Sequence, residues 1–179
     1  MATADPAAPP VAPVAALASP ESLAGRDVLS LADFSGPEIL TILQRAQQLK
    51  ELQRRREPHR WLEGRTLAMI FEKPSLRTRC TFETGMTQLG GHAIDLGAEH
   101  MQMGTRESVP DVARNLERWE DAIMARVFLH STVTTLAEYA SIPVINGLSD
   151  YSHPCQVLAD LQTVQERKGT LRGLKICYV

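Results

Sequence analysis

Apolar residues recur along this chain with two different periods, and the two alternate. Ile39, Leu40, Ile42, Leu43, Ala46 and Leu49 follow Ser35-Gly36-Pro37 at helical spacing, so a cap and a first-turn proline open a helix to about Arg55. Thr66-Leu-Ala-Met-Ile-Phe71 is an unbroken apolar run of strand length. A helix over about 76–89 follows and stops at Gly90-Gly91. A short strand near 92–96 and a loop lead to a helix from about Ser108 to Trp119. Next come a strand over 122–129, a short helix over 133–139, a strand over 143–146, and a long helix from Pro154 to about Arg167. Strands alternating with helices pair in parallel through crossovers, so the expected fold class is α/β, a parallel four-stranded sheet flanked by helices.

Both ends of the chain depart from this pattern. The first 28 residues are Ala/Pro-rich, and proline blocks regular structure, so they read as a disordered tail. No Lys or Arg precedes Arg26, so the segment lacks the cationic features of a signal or transit peptide. At the other end Leu174-Lys-Ile-Cys-Tyr-Val179 reads as a buried strand with no crossover helix after it. The expected division is therefore a tail over 1–28, a main domain over 29–152, a connecting helix over 153–170, and over 171–179 the first strand of a further domain.

Composition narrows the function classes. Apolar residues make up 44% and charged residues 22%, ordinary for a globular chain, and the net charge of −2 gives no global basic field for nucleic acid. No apolar run approaches the eighteen or so residues needed to span a bilayer. Cys80, Cys155 and Cys177 show neither C-x-x-C nor Cys/His metal spacing, so reduced thiols in a cytoplasmic protein are expected. His59, His92, His100 and His130 have no partner at metal spacing, and Asp95, Glu99 and His100 form no defined ligand set. No metal or organic cofactor is expected.

The chemistry gathers where open parallel sheets bind ligands, beyond the carboxyl ends of the strands. After the first strand comes Pro74-Ser75-Leu76-Arg77-Thr78-Arg79. Cations are unfavourable at a helix start, whose free N–H groups already carry partial positive charge, so arginine there implies an arriving anion. Ser75 as cap, the N–H groups, Arg77 and Thr78 together suit a phosphate. Arg77 and Arg79 lie on nearly opposite sides of the helix; Arg77 is the ligand candidate, and Arg79 pairs more simply with Glu83. Arg126 lies inside the third strand's apolar run, where a charge needs a partner: an acid such as Asp121 or Asp150, or a ligand. After the fourth strand, Pro154 suits a first helical position, which puts His153 at the cap and Gln156 in the first turn.

These motifs resemble those of the aspartate/ornithine carbamoyltransferase family. Phe71-Glu-Lys-Pro-Ser-Leu-Arg-Thr-Arg79, Ala125-Arg126-Val127 and His153-Pro-Cys-Gln156 match its carbamoyl phosphate motif, its third-strand arginine and its H-P-x-Q motif. Leu76 stands where the familiar form has threonine, at a position that acts through its backbone N–H. Gly104-Thr-Arg-Glu-Ser108 and Ile145-Asn-Gly-Leu-Ser-Asp150 resemble the family's ornithine-using branch. The resemblance implies that Ser75, Leu76, Arg77, Thr78 and Arg126 hold the phosphate. Arg126, His153 and Gln156 would act on the carbamoyl group, Gln102 would reach a neighbouring subunit's site in a homotrimer, and Leu148 would line the second substrate. It implies carbamoyl transfer from carbamoyl phosphate to the δ-amine of L-ornithine, giving citrulline, with the amino-acid site mostly in the further domain. Acetylornithine or putrescine as acceptor, and a non-catalytic anion-binding trimer module, are the alternatives.

Overall fold

The computed structural model describes residues 23–97, 103 and 106–177. A 3-10 turn at Leu31–Asp33 precedes α1 (Gly36–Arg55), β1 (Thr66–Phe71), α2 (Leu76–Gln88), β2 (His92–Gly97), α3 (Val109–Leu116), β3 (Ala122–Arg126), α4 (His130–Tyr139), β4 (Val144–Leu148) and α5 (Pro154–Lys168). The strands form one sheet in the order β2-β1-β3-β4, and every pairing is parallel. The expected four-stranded α/β architecture is present.

Side chains on successive strand residues point to opposite faces, and the core divides accordingly. Ala68, Ile70, Ile123, Ala125 and Val144 pack with Val112, Ala113 and Leu116 of α3 and with Val133 and Leu136 of α4. Leu67, Met69, Phe71 and Met124 point the other way and pack with Met86 of α2. Burial on both faces explains why the strands read as continuous apolar runs. Long α1 is held at its start by a capping box between Ser35 and Glu38. At its far end it meets α5 through Lys50, whose ammonium lies 2.7 Å from Glu166.

Several boundaries differ from expectation, each for a local reason. The third strand ends at Arg126 rather than residue 129, because the Phe128 N–H is taken by the Glu72 carboxylate at 2.6 Å. The following helix begins at His130, three residues early, because Asp150 Oδ1 accepts its first N–H at 2.7 Å. α3 stops at Leu116, since the N–H groups of Arg118 and Trp119 tighten into bonds with Asn115 and Leu116 three residues back. β4 continues to Leu148 through a register shift opposite Ala125 and Arg126. Gly147 permits that shift: a Cβ there would lie 2.4 Å from Met124 Sδ.

The tail boundary also moves. Residues 26–28 belong to the fold, not to a disordered segment: Val28 bridges Ile145, Asp27 accepts from Val144 N–H, and Arg26 pairs with Glu38. Residues 1–22 lie outside the described residues. The run 174–177, expected as a strand, is exposed and carries no ladder among the described residues. A strand exists only where a partner takes its backbone groups. Residues 178 and 179 lie outside the described set.

Candidate functional site

The carboxyl ends of β1, β3 and β4 are brought together by the register, in which Phe71 pairs with Arg126 and Arg126 with Leu148. Ser75 caps α2 as expected, in extended conformation, its Oγ accepting from Thr78 N–H at 3.3 Å. That leaves the first-turn N–H groups of Leu76 and Arg77 without intrahelical carbonyls, aimed outward from the positive end of a thirteen-residue helix. Thr78 is buried, the Arg77 side chain is exposed, and the Leu76 side chain is 79% exposed.

Arg126 crosses to this helix, where its Nη1 donates to Thr78 Oγ1 at 3.3 Å. Neither acid considered as its partner takes that role. Asp121 binds Arg65 at 2.5 Å, and Asp150 accepts from His130 N–H. The Arg126 Nε is buried without an acceptor. Burial lowers the guanidinium's pKa first, and the nearby Arg77 charge lowers it further. Two cations therefore face one cleft, and no carboxylate lies between them among the described residues. A dianion placed there would take the free Arg126 donor, relieve the repulsion and meet the helix N-terminus.

His153 caps α5 from the third side, and its Nδ1 is buried without a partner. Burial lowers its pKa, Arg126 lowers it more, and Asp160 opposes them. The imidazole is thus held neutral near pH 7 and can donate a hydrogen bond without adding a third charge. Gln156 occupies the first turn of α5 as expected, but its amide donates to Asp160 Oδ1 at 2.9 Å along its own helix. Leu148 lies at the end of β4 beside Arg126. Gln102 lies outside the described residues.

The residues set aside behave largely as read. Arg79 pairs with Glu83 at 3.8 Å, and more closely with Asp95 of β2 at 3.0 Å. Cys155 is half-buried, and desolvation raises its thiol pKa to about 11, which disfavours the thiolate. Glu99 and His100 lie outside the described residues, and among those described no three His, Cys, Asp or Glu side chains converge on a metal position.

Two functional supports escaped the sequence reading. Glu72 ties the β1–α2 turn to the end of β3 by accepting from Phe128 N–H, while its own N–H donates to the Arg126 carbonyl. Asn146, fully buried, donates to the Leu29 carbonyl at 3.0 Å, and its Oδ1 accepts from Leu148 N–H at 3.0 Å. The available signal was an amide inside an otherwise apolar strand, which has to be hydrogen-bonded.

Comparison with known proteins agrees with this geometry. Residues 26–166 match the family model for the aspartate/ornithine carbamoyltransferase carbamoyl-P binding domain. The chain is 57% identical over 158 residues to the anabolic ornithine carbamoyltransferase of Pyrococcus furiosus, covering 88% of this chain and 50% of that protein. A solved ornithine carbamoyltransferase from Pyrococcus furiosus superposes with a TM-score of 0.84 at 56% identity, over 85% of this chain and 49% of that one. The catalytic subunit of M. jannaschii aspartate transcarbamoylase gives 0.77 at 34% identity, over 83% and 49%. The chain thus spans about half the length of the relatives it matches. It belongs to the aspartate/ornithine carbamoyltransferase family, and residues 26–166 are the family's carbamoyl-P binding domain.

Proposed function

We propose that this chain forms the carbamoyl phosphate half-site of an ornithine carbamoyltransferase acting in arginine biosynthesis. The observation that carries the reading is the buried, unaccepted Nε of Arg126 near the Arg77 charge at the start of α2, with no acidic partner for either among the described residues. Ser75, the Leu76 N–H, Arg77, Thr78 and Arg126 hold the phosphate. Thr78, Arg126 and His153 polarise the carbamoyl carbonyl. Gln156 exchanges Asp160 for the carbamoyl amide nitrogen, and Leu148 lines the acceptor side.

In the reaction the neutral δ-amine of ornithine attacks the carbamoyl carbon. A C–N bond forms, the carbon–oxygen bond to phosphate breaks, and the amine loses one proton. Negative charge grows on the carbonyl and leaving-group oxygens, where the cationic and N–H donors already stand. Ornithine is favoured as acceptor because relatives above 50% identity bear that name, whereas the aspartate and acetylornithine enzymes among solved structures are 34% and 33% identical.

The remaining ornithine ligands belong, in this reading, to a second α/β domain. Residues 171–179 would supply its first strand, with α5 as the connecting helix. A homotrimer in the cytoplasm, with Gln102 reaching a neighbouring subunit, completes the proposal; light scattering on the purified chain tests the assembly.

The decisive experiment is calorimetric titration with carbamoyl phosphate. Arg77→Ala is expected to weaken binding about a hundredfold, the upper scale for losing a hydrogen bond to a charged group. Near-normal affinity in that variant overturns the assignment.

A further inference from the structure

His130 carries no role so far, yet its ring is built into the loop that delivers the carbonyl side of the site. Its Nδ1 lies 2.9 Å from Ser149 Oγ, and its ring packs against Tyr151 with centroids 4.9 Å apart. Its backbone N–H is bound by Asp150, and Asp150 N–H returns a bond to the Phe128 carbonyl at 3.1 Å. The β3–α4 corner is thereby laced to the β4–α5 loop, which runs from Leu148 to His153.

The hydrogen bonds around Ser149 bear on what the imidazole does. Ser149 is buried, and its Oγ accepts from Ser152 N–H at 3.3 Å and is reached by Asn146 Nδ2 at 3.2 Å. One hydrogen of the Asn146 amide goes to the Leu29 carbonyl and the other is shared between Ser149 Oγ and the Ser152 carbonyl, each 3.2 Å away, while the Ser149 hydroxyl has one hydrogen of its own to place. The Ser152 carbonyl is 3.4 Å away and His130 Nδ1 is 2.9 Å away, so the shorter and stronger bond runs from Ser149 to His130. An acceptor at Nδ1 requires a neutral ring with its proton on Nε2. The groups facing this ring are Asp150 and Tyr151 from the β4–α5 loop. Glu72 and Lys73 act one step away, on the backbone and ring of Phe128.

We infer that His130 is a positioning residue, whose neutral Nδ1 accepts the Ser149 hydroxyl and so holds Asn146, Ser149 and Ser152 in the arrangement that aims His153 at the carbamoyl group. The inference rests on the carbamoyl phosphate reading above and deepens it. The phosphate end of the ligand is held by α2 and the Arg126 side chain, neither of which belongs to the laced loop, while the carbonyl end also needs His153, which the loop carries. His130 therefore governs preference for carbamoyl phosphate over bare phosphate, not affinity for phosphate itself.

The test titrates the full chain with carbamoyl phosphate and separately with inorganic phosphate, and reads the ratio of affinities. His130→Leu keeps the bulk but removes the acceptor; the ratio is expected to fall about five- to tenfold, the scale of one net hydrogen bond, with phosphate affinity unchanged. His130→Asn places an amide oxygen near the Nδ1 position, and is expected to restore the ratio to within about twofold of the starting protein. An unchanged ratio in His130→Leu overturns the inference, as does an equal fall in affinity for both ligands, which marks a merely structural role. Nitrogen NMR of the unsubstituted protein gives a ligand-free check: the Nε2–H tautomer is expected, and an Nδ1–H tautomer overturns it. If the unsubstituted protein shows no preference for carbamoyl phosphate over phosphate, the functional reading fails first and the positioning role falls with it.

Discussion

Arg65 and Arg126 stand at opposite ends of the same sheet, and their surroundings differ in every respect that matters. At the amino end Arg65 donates to Asp121, which also accepts from the backbone N–H and hydroxyl of Thr66. Charge and hydrogen-bonding capacity there are matched within the chain. At the carboxyl end Arg126 has, among the described residues, only a threonine hydroxyl, a buried Nε without an acceptor, and a second arginine nearby. The first arrangement stabilises the fold; the second opposes it and suits an anion. Stability and binding are thus segregated to the two ends of one parallel sheet, as expected where ligands sit beyond the carboxyl ends of the strands.

The sharpest way to break the comparison is to remove the unpaired cation. Arg126→Met is expected to lower carbamoyl phosphate affinity about a hundredfold or more, since a desolvated charge contact is lost on the protein side. The same change removes a buried unsatisfied donor and a like-charge repulsion, so the ligand-free melting temperature should stay level or rise. Calorimetry and thermal unfolding of one variant check both halves. A variant that loses stability without ligand shows that Arg126 is a structural residue after all.

The converse substitution acts at the amino end. Asp121→Asn keeps the shape, removes the charge and should cost roughly 1–2 kcal/mol of stability, the hydrogen bonds being charge-assisted but partly solvated. Carbamoyl phosphate affinity should not change. The pH dependence follows in sign. The Arg65 guanidinium and the Thr66 N–H hold the Asp121 carboxyl below the usual range, so its contribution is present above the unfolded value near pH 4. It is lost as pH falls through the lower folded value. Urea midpoints between pH 6 and pH 3 should therefore fall less steeply in Asp121→Asn than in the parent chain. Parallel slopes contradict the assignment.

This segregation was half legible in the sequence. Ser75 as cap and Arg79 in an ion pair both follow from helical spacing within a few residues, and the structure has them so. The partner of Arg126 did not follow, because the two acids considered for it, Asp121 and Asp150, are claimed by groups that the fold brings in. Asp121 meets Arg65 only when β3 lies beside β1, and the order β2-β1-β3-β4 leaves no trace in periodicity. His130 shows the same limit: tested only for metal spacing it looked idle, yet its partner Ser149 lies nineteen residues away on the next strand's loop. Gln156 was placed in the correct turn, but its hydrogen bond to Asp160 is a choice of rotamer, which spacing does not decide. Local signals reported caps and element types, while pairings across strands needed the sheet.

The smallest effect separates backbone from side chain within the site itself. Leu76 is at the first position of α2, its N–H free and its side chain in solvent. Leu76→Pro removes the N–H while keeping a helix-compatible φ, and Ser75 before it is already extended (φ −155°, ψ 108°), as a residue preceding proline must be. Carbamoyl phosphate affinity should drop about tenfold in that variant with the fold intact, the scale of one hydrogen bond to a charged oxygen. Leu76→Ala retains the N–H and should bind within about twofold of the parent by calorimetry. Equal losses in the two variants would mean that the leucine side chain is what the ligand meets. The anion would then be held by side chains alone, and the helix N-terminus that distinguishes the carboxyl end of β1 would contribute nothing to it.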